Sequence, residues 1–144
     1  MRPEVLADTG FLLALLDRGD RWHPACARAF EALRLPLATS AAVLTELFHL
    51  VGDAPREAGA AWRLVRSGAI SVLPIGDSDL AGLEALMTRY ADRPMDFADA
   101  TLVHLAARES IRAVATIDND DFETYRIGAR LTFRVVPGRP RHGR

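Results

Sequence analysis

The chain has 144 residues, of which 49% are hydrophobic and 26% are charged, and its formal net charge is −1. These values are ordinary for a globular protein, and the length suits one domain with a sizeable core. The longest apolar runs are too short to span a membrane, and the first residues lack the apolar stretch of a secretory signal. We therefore expect a cytoplasmic protein without a membrane segment. Cys26 is the only cysteine, which excludes an intrachain disulfide and a cysteine-based zinc site.

All 18 basic residues are arginine. Catalysis by lysine is therefore excluded, and every cation has the planar shape that suits phosphate and carboxylate groups. Six arginines follow Glu123 without an intervening acid, namely Arg126, Arg130, Arg134, Arg139, Arg141 and Arg144. This basic end predicts either a contact with a polyanion or a solvated tail.

Short apolar strands alternate with helices along the chain. We predict strands at residues 4–7, 37–39, 70–73, 113–117 and 131–136, and helices at residues 11–17, 22–33, 41–51, 56–67, 78–90, 97–109 and 119–124. Helices between successive strands favour a parallel sheet that is covered on both faces. The expected fold is α/β with three layers: a central, mostly parallel sheet of about five strands flanked by helices. Without a repeat or linker, we expect one domain over residues 1–136 and a basic tail over residues 137–144.

The spacing of apolar residues also predicts which helix positions face the core. These positions are Val43, Leu47 and Leu50, then Ala58, Ala61, Trp62 and Val65, then Leu80, Leu83, Met87 and Tyr90. Glu46 lies on or beside the first of these stripes. Asp77 is expected to cap the helix that contains the last of them.

Two acids are predicted at the carboxyl ends of strands. Asp8 follows the first strand, and Asp118 follows the strand at residues 113–117. In open parallel sheets, sites form outside these strand ends, where the strand order reverses. Asp99 shares a helix face with apolar residues that should be buried, and Asp96 lies nearly one turn before it. Together with Glu46, these acids are able to converge on one edge of the sheet.

Each of these acids also has an ordinary structural explanation. Asp96 is a good helix cap, Asp99 suits the first turn of a helix, and Asp118 is able to start a turn with Asn119. Several carboxylates that meet in a low-dielectric setting, however, remain ionised together only with cations among them. Oxygen ligands without cysteine favour Mg²⁺ or Mn²⁺, and such ions activate water for attack on a phosphodiester.

At this point the chain resembles the PIN-domain ribonucleases, and most closely the VapC-type toxins of bacterial toxin–antitoxin pairs. The resemblance spans residues 4–136. It rests on the Asp8–Thr9 pair after the first strand, on Glu46 within TSAAVLTELFHL, on MDFADA at the start of a helix and on the segment TIDNDDF. These short motifs are specific through their order and spacing.

The resemblance implies an Mg²⁺- or Mn²⁺-dependent endoribonuclease that forms homodimers and is inhibited by a cognate antitoxin. The metal-site and catalytic acids of the family match Asp8, Glu46, Asp99 and Asp118. Asp96 matches an auxiliary acid that often precedes the third of these. Thr9 and Thr116 match the hydroxyl residues that flank the site. Asp120 or Asp121 is an alternative to Asp118, which we favour because it is nearest the end of the rigid strand.

Other polar residues favour structural roles. His23, His49 and His104 lack the spacing of metal ligands or of a catalytic triad, so packing or surface positions are expected. Arg89, Arg93 and Arg112 flank the acidic stretch, where they could hold an RNA backbone or form a solvated face.

Two other functions compete with nuclease activity. Aspartyl-phosphate chemistry is disfavoured, because Gly10 stands where such phosphatases have a second acid and receiver domains need a lysine. A non-catalytic module of the same fold, which binds an antitoxin-like partner through its acids, remains as the alternative.

Overall fold

The computed structural model describes residues 2–93 and 95–139. Its strands are β1 (Val5–Ala7), β2 (Leu37–Thr39), β3 (Ile70–Val72), β4 (Ala113–Thr116), β5 (Arg126–Ile127), β6 (Leu131–Thr132) and β7 (Arg134–Pro137). Its helices are α1 (Thr9–Leu16), α2 (His23–Ala32), α3 (Ala41–Val51), α4 (Pro55–Arg66), α5 (Leu80–Arg89), α6 (Phe97–Glu109) and α7 (Asn119–Thr124). A 3-10 turn, Asp77–Asp79, precedes α5.

Five strands form one parallel sheet in the order β3-β2-β1-β4-β7. The strand order reverses at β1, since the chain first moves outward to β2 and β3 and then returns to place β4 on the other side of β1. Leu6 on β1 pairs with Ala38 on β2 and with Val114 on β4. The predicted α/β fold, with a mostly parallel sheet of five strands flanked by helices, is confirmed.

The central strands lie in the middle of the core. Every residue of β1, β2 and β4 is buried, which explains their continuous apolar sequences, since strands covered on both faces need no alternation. Four of the helices, α1, α3, α6 and α7, start at a residue whose side chain accepts a backbone hydrogen bond from the first turn. Ser40 accepts a hydrogen bond from the backbone N–H of Val43 at 3.2 Å and thereby starts α3. None of the helices in the described parts of the chain has the length and hydropathy that crossing a lipid bilayer requires.

Several predicted inward positions are wrong. Leu50 and Trp62 are each 55% exposed, and Leu80 and Met87 are exposed as well. On α3 the core instead takes Val51. The apolar residues of these helices cover a wider face than the core buries. Their spacing alone therefore does not show which side of that face is buried.

The start of α5 and the end of the chain also differ from the prediction. Asp77 caps no helix through its side chain; instead, Oδ2 of Asp79 accepts a hydrogen bond from the backbone N–H of Gly76 at 2.9 Å. The predicted strand at residues 131–136 is two strands, because β6 turns back to form an antiparallel hairpin with β5, and only β7 joins the sheet. β7 ends at Pro137, one residue into the segment expected to be the tail. Arg141 and Arg144 lie outside the described residues.

Candidate active site

Three of the acids singled out by the sequence are helix caps around the carboxyl edge of the sheet. Asp8 caps α1, Asp96 caps α6 and Asp118 caps α7. Each accepts a backbone N–H from the residue three positions ahead, as a helix-capping acid should. The capping hydrogen bond holds each carboxylate group in a defined position relative to the helix that it caps. Capping and the proposed chemistry therefore use the same residues.

Asp8 occupies the central position, next to the point where the strand order reverses. It follows β1 and is only 7% exposed. Its Oδ1 accepts from the backbone N–H of Phe11 at 3.0 Å, and its Oδ2 accepts from the hydroxyl of Thr116. Burial raises the pKa of Asp8 to about 6, these two hydrogen bonds oppose the rise, and the charges of Asp118 and Glu46 add to it.

Thr116 joins two of the acids. Its fully buried hydroxyl donates to Asp8 and accepts the backbone N–H of Asp118 at 2.9 Å. The Thr116 side chain, at the end of β4, therefore helps to position both Asp8 and Asp118. Burial is also the main reason why the pKa of Asp118 is raised, and Asp121 contributes to the rise.

Asp99 lies in the first turn of α6, half-buried beside the other acids. Its pKa is raised to about 8, first by burial and then by the charges of Asp96 and Asp8, while a hydrogen bond from Tyr125 opposes the rise. The Tyr125 hydroxyl donates to Oδ2 of Asp99 at 3.1 Å. Because the charges of Asp96 and Asp8 affect the pKa of Asp99, both of these acids lie within electrostatic range of the Asp99 carboxyl group.

Glu46 projects from α3, the helix that follows β2. It is half-buried, and its charge contributes to the raised pKa of Asp8. A hydrogen bond of 2.7 Å between the hydroxyls of Ser40 and Thr101 ties the start of α3 to α6. The helices that carry Glu46 and Asp99 are thereby fixed to each other.

Thr9, which the family resemblance predicts to be an auxiliary residue, is the first residue of α1 and is buried. Within the described parts of the chain, its hydroxyl makes no hydrogen bond to the acids. It therefore differs from Thr116, which contacts Asp8 directly.

Two neighbouring acids are engaged elsewhere. Asp120 pairs with Arg139, and Asp121 accepts from Nε of Arg93 at 3.3 Å. Asp118 has no arginine partner among the described residues, and neither have Asp8, Glu46 and Asp99. Of the three acids in the segment TIDNDDF, Asp118 is thus the one without an arginine partner within residues 2–93 and 95–139.

The acids lie at the same edge of the sheet, but their carboxylate groups do not surround a common position. Within residues 2–93 and 95–139, no three acidic, histidine or cysteine side chains lie close enough to hold a metal ion as they stand. The donor set nevertheless fits a hard divalent cation, because it consists of carboxylate oxygens, the ligands that Mg²⁺ and Mn²⁺ prefer, and none of them has an arginine partner among the described residues.

The other polar candidates serve the fold. Arg89 donates to the carbonyls of Gly128 and Ala129, and Arg112 donates to that of Thr132. His104 bonds to Asp79 at 2.8 Å. A groove of about 930 Å³ runs beside Glu46 and Asp96, with an apolar floor that includes Val72, Ile75 and Phe97, and His49 on its wall.

Tyr125 was not singled out by the sequence. It lies seven residues after Asp118, and no short motif links a tyrosine there to an acid on α6. The available signal was weak: an aromatic residue at the end of a short helix, next to a hairpin that the sequence did not predict.

Comparisons with known proteins identify the family to which the chain belongs. Residues 5–127 match the family profile described as PIN domain. The chain is 31% identical over 143 residues to Ribonuclease VapC26 from Mycobacterium tuberculosis, a match that covers 92% of this chain and 100% of that protein.

Solved structures share the fold. The crystal structure of Mycobacterium tuberculosis VapC20, described as a sarcin-ricin loop cleaving toxin, aligns with a TM-score of 0.73 at 24% identity over 81% of this chain and 91% of that one. VapBC2 from Rickettsia felis, bound to a DNA fragment from its promoter, aligns with a TM-score of 0.68 at 14% identity over 91% of this chain and 97% of that one. The match of the family profile to most of the chain and the likeness to VapC26 show that the chain belongs to the PIN-domain family.

Proposed function

We propose that this protein is a metal-dependent endoribonuclease that acts as the toxin of a toxin–antitoxin pair. The observation that carries the proposal is the gathering of Asp8, Asp99, Asp118 and Glu46 at the point where the strand order reverses, with the pKa of Asp8 and Asp99 raised to about 6 and about 8. Sites in open parallel sheets form at this point. The relative VapC26, which matches nearly the whole chain, is named a ribonuclease.

The chain's own residues prepare the site in three ways. Thr116 holds the Asp8 carboxylate and the backbone of Asp118 in a fixed relation. Burial on α6 limits the access of water to Asp99. The Oδ1 oxygen of Asp8 stays bound to the N-terminus of α1, so the side chain cannot rotate freely.

The ligands of an Mg²⁺ or Mn²⁺ ion would be Asp8, Glu46, Asp99 and Asp118, with Asp96 as an auxiliary. Such an ion supplies an activated water and stabilises the negative charge that develops on the phosphodiester. Before the ion binds, the raised pKa of Asp99, about 8, leaves a proton on much of this carboxyl at neutral pH. The carboxylates must release these protons to bind metal, so we expect cleavage to increase with pH between about 6 and 8.

The test is RNA cleavage by the purified protein with Mg²⁺, with Mn²⁺ and with EDTA. We expect Asp8→Asn and Asp99→Asn to lower cleavage by at least about 100-fold, the upper end of the effect of losing an outer partner of a metal ligand. Both variants should keep the circular dichroism spectrum of the wild type.

The matched comparison is Asp118→Asn against Asp120→Asn. Asp118 is unpaired by arginine in the described structure, whereas Asp120 pairs with Arg139. Only Asp118→Asn should abolish cleavage. Full activity in Asp8→Asn or Asp99→Asn would refute the nuclease proposal. Absence of Mn²⁺ binding to the wild type in calorimetry would favour the non-catalytic module instead.

The proposal extends to partners. The antitoxin expected from the family would occupy the acidic site in the cytoplasm. Exposed apolar side chains on α5 and at the start of α6 support a homodimer. Co-expression with the product of a neighbouring small open reading frame tests the antitoxin: it should co-purify with this protein and suppress RNA cleavage.

A further inference from the structure

The hydroxyl of Tyr125 contacts a candidate metal ligand from inside the core. The Tyr125 side chain is fully buried at the C-terminal end of α7, and its hydroxyl donates to Oδ2 of Asp99 at 3.1 Å. A buried tyrosine hydroxyl needs a hydrogen-bond partner, and most side-chain hydrogen bonds go to backbone groups or water. Here the acceptor is a carboxylate of the candidate site.

The ring of Tyr125 is held from two sides. Its centroid lies 5.1 Å from that of Tyr90 and 5.3 Å from that of Phe122, both in edge-to-face geometry. Phe122 in turn packs against Phe133 at 5.4 Å. Such packing fixes the ring and therefore the position of the hydroxyl.

The same short helix carries an acid at one end and Tyr125 at the other. Asp118 caps the start of α7, and Tyr125 follows its last residue. Among the described residues, the Asp99 side chain accepts no hydrogen bond other than that from Tyr125. The Tyr125 hydroxyl thus holds the Asp99 carboxylate in place, and it bonds to only one of the two carboxylate oxygens, Oδ2.

We propose that Tyr125 is a positioning residue, which holds the Asp99 carboxylate through Oδ2 and leaves Oδ1 available to a divalent cation. This inference rests on the proposed function, since it concerns the metal site that Asp99 helps to form. Hydrogen-bond partners of metal-binding side chains orient them and raise metal affinity. Tyr125 would do so while coupling Asp99 to the helix that carries Asp118.

The test is Tyr125→Phe, which removes one oxygen and keeps the ring. Isothermal titration of Mn²⁺ into the variant should give a dissociation constant about 10-fold higher than that of the wild type. In RNA cleavage at saturating Mn²⁺, kcat should fall while KM stays the same, because the contact orients a catalytic group and does not bind RNA.

The matched control is Tyr90→Phe. Tyr90 belongs to the same aromatic cluster, but its hydroxyl accepts the backbone N–H of Arg126 at 3.0 Å and, in the part of the chain that the structure describes, forms no hydrogen bond to an acid. This variant should lose thermal stability yet bind Mn²⁺ as the wild type does. Melting temperatures of both variants separate an effect on the core from an effect on the site.

The outcomes distinguish this inference from the proposed function. If Asp99→Asn has lost Mn²⁺ binding but Tyr125→Phe binds as the wild type does, Tyr125 is a core residue only and the inference fails alone. An insoluble Tyr125→Phe protein beside a soluble Tyr90→Phe protein would likewise place the hydroxyl in folding and overturn the inference. If Asp99→Asn retains binding and cleavage, Asp99 is not a ligand and both proposals fail.

Discussion

Asp8 and Asp99 make the stability of the metal-free protein depend on pH. Their pKa values are raised to about 6 and about 8, first of all by burial. In the unfolded chain each carboxyl titrates near pH 4, as an ordinary aspartate does, so at higher pH the folded state binds protons more strongly. These two groups therefore do not lower the free energy of unfolding below about pH 4. They lower it progressively as the pH rises from about 4 to about 8.

Asp99→Asn tests this dependence, because it removes the charge and keeps the shape. In EDTA at pH 8, we expect the variant to be more stable than the wild type by about 1 kcal/mol, a value lowered by the solvent that reaches Asp99. This difference corresponds to a melting temperature about 3 °C higher. At pH 4 the two proteins should unfold at nearly the same urea concentration.

The exposed acid Asp53 supplies the control, since Asp53→Asn should change stability little at either pH. With added Mn²⁺ at pH 8, the wild type should become more stable than Asp99→Asn, because the ion stabilises the protein that binds it. A metal-free Asp99→Asn protein less stable than the wild type at pH 8 would contradict the account of Asp99 as an unfavourably buried charge.

At the scale of single residues, the sequence predicts where the acids lie in the fold but not which side chains they contact. Asp8 and Asp118 follow from their places at strand ends, and Asp99 from its polar side chain on an apolar helix face. The hydrogen bond from Thr116 to Asp8 spans 108 positions, and that from Tyr125 to Asp99 spans 26. Neither leaves a local pattern, so the role of Thr116 was suggested only by family resemblance and that of Tyr125 was missed.

Between elements, a charged cluster ties the 3-10 turn to α6. Asp79 is buried in the turn and accepts hydrogen bonds from His104 Nε2 at 2.8 Å and Arg108 Nη1 at 3.1 Å. Arg108 also donates to the carbonyl of Pro74 at 2.8 Å. Since α6 carries Asp99 one and a half turns before His104, this cluster sets the position of the helix that supplies the site.

Asp79→Asn should therefore destabilise the protein. The pKa of Asp79 is lowered to about 2, first by the backbone N–H of Gly76 and then by His104 and Arg108. A lowered pKa contributes stability that is present above about pH 4 and is lost as the pH falls through about 2. We expect Asp79→Asn to melt several degrees below the wild type at pH 7 and to unfold at a higher pH during acid titration.

Asp77 offers a control from the same turn. It is exposed and its side chain caps no helix, so Asp77→Asn should melt as the wild type does. Equal melting temperatures for Asp79→Asn and Asp77→Asn would show that the cluster does not hold the turn to α6.

Helices were predicted closely because their signals are local. α6 begins and ends at the predicted residues, with Asp96 as its cap and Ser110 in a left-handed conformation after its end. The β5–β6 hairpin was missed because each strand has only two residues, too few for an alternating pattern. Phe133 separates β6 from β7 and is buried, and in the sequence this apolar residue makes residues 131–136 resemble one strand.

At the scale of the whole molecule, chain order produces the site. β1 lies in the middle of the sheet, with β2 on one side and β4 on the other. The loops after β1 and β4 therefore open next to each other and bring Asp8 and Asp118 together. The sequence predicted this convergence because alternating strands and helices allow few topologies. It could not predict how closely the carboxylates approach, which depends on side-chain packing.

The molecule also leaves apolar surface uncovered, and the homodimer prediction belongs to this surface. A depression of about 540 Å³ between α5 and the start of α6 is lined by apolar side chains that include Leu80, Met87 and Phe97. Leu80 is 53% exposed, which is unfavourable for a monomer in water.

We expect the wild type to be a dimer in light scattering at micromolar concentration and Leu80→Asp to be a folded monomer. Leu131, which is 47% exposed on the hairpin, is the matched control, and Leu131→Asp should remain a dimer. A monomeric wild type, or a Leu80→Asp protein that is still dimeric, would place the dimer contact elsewhere or exclude it.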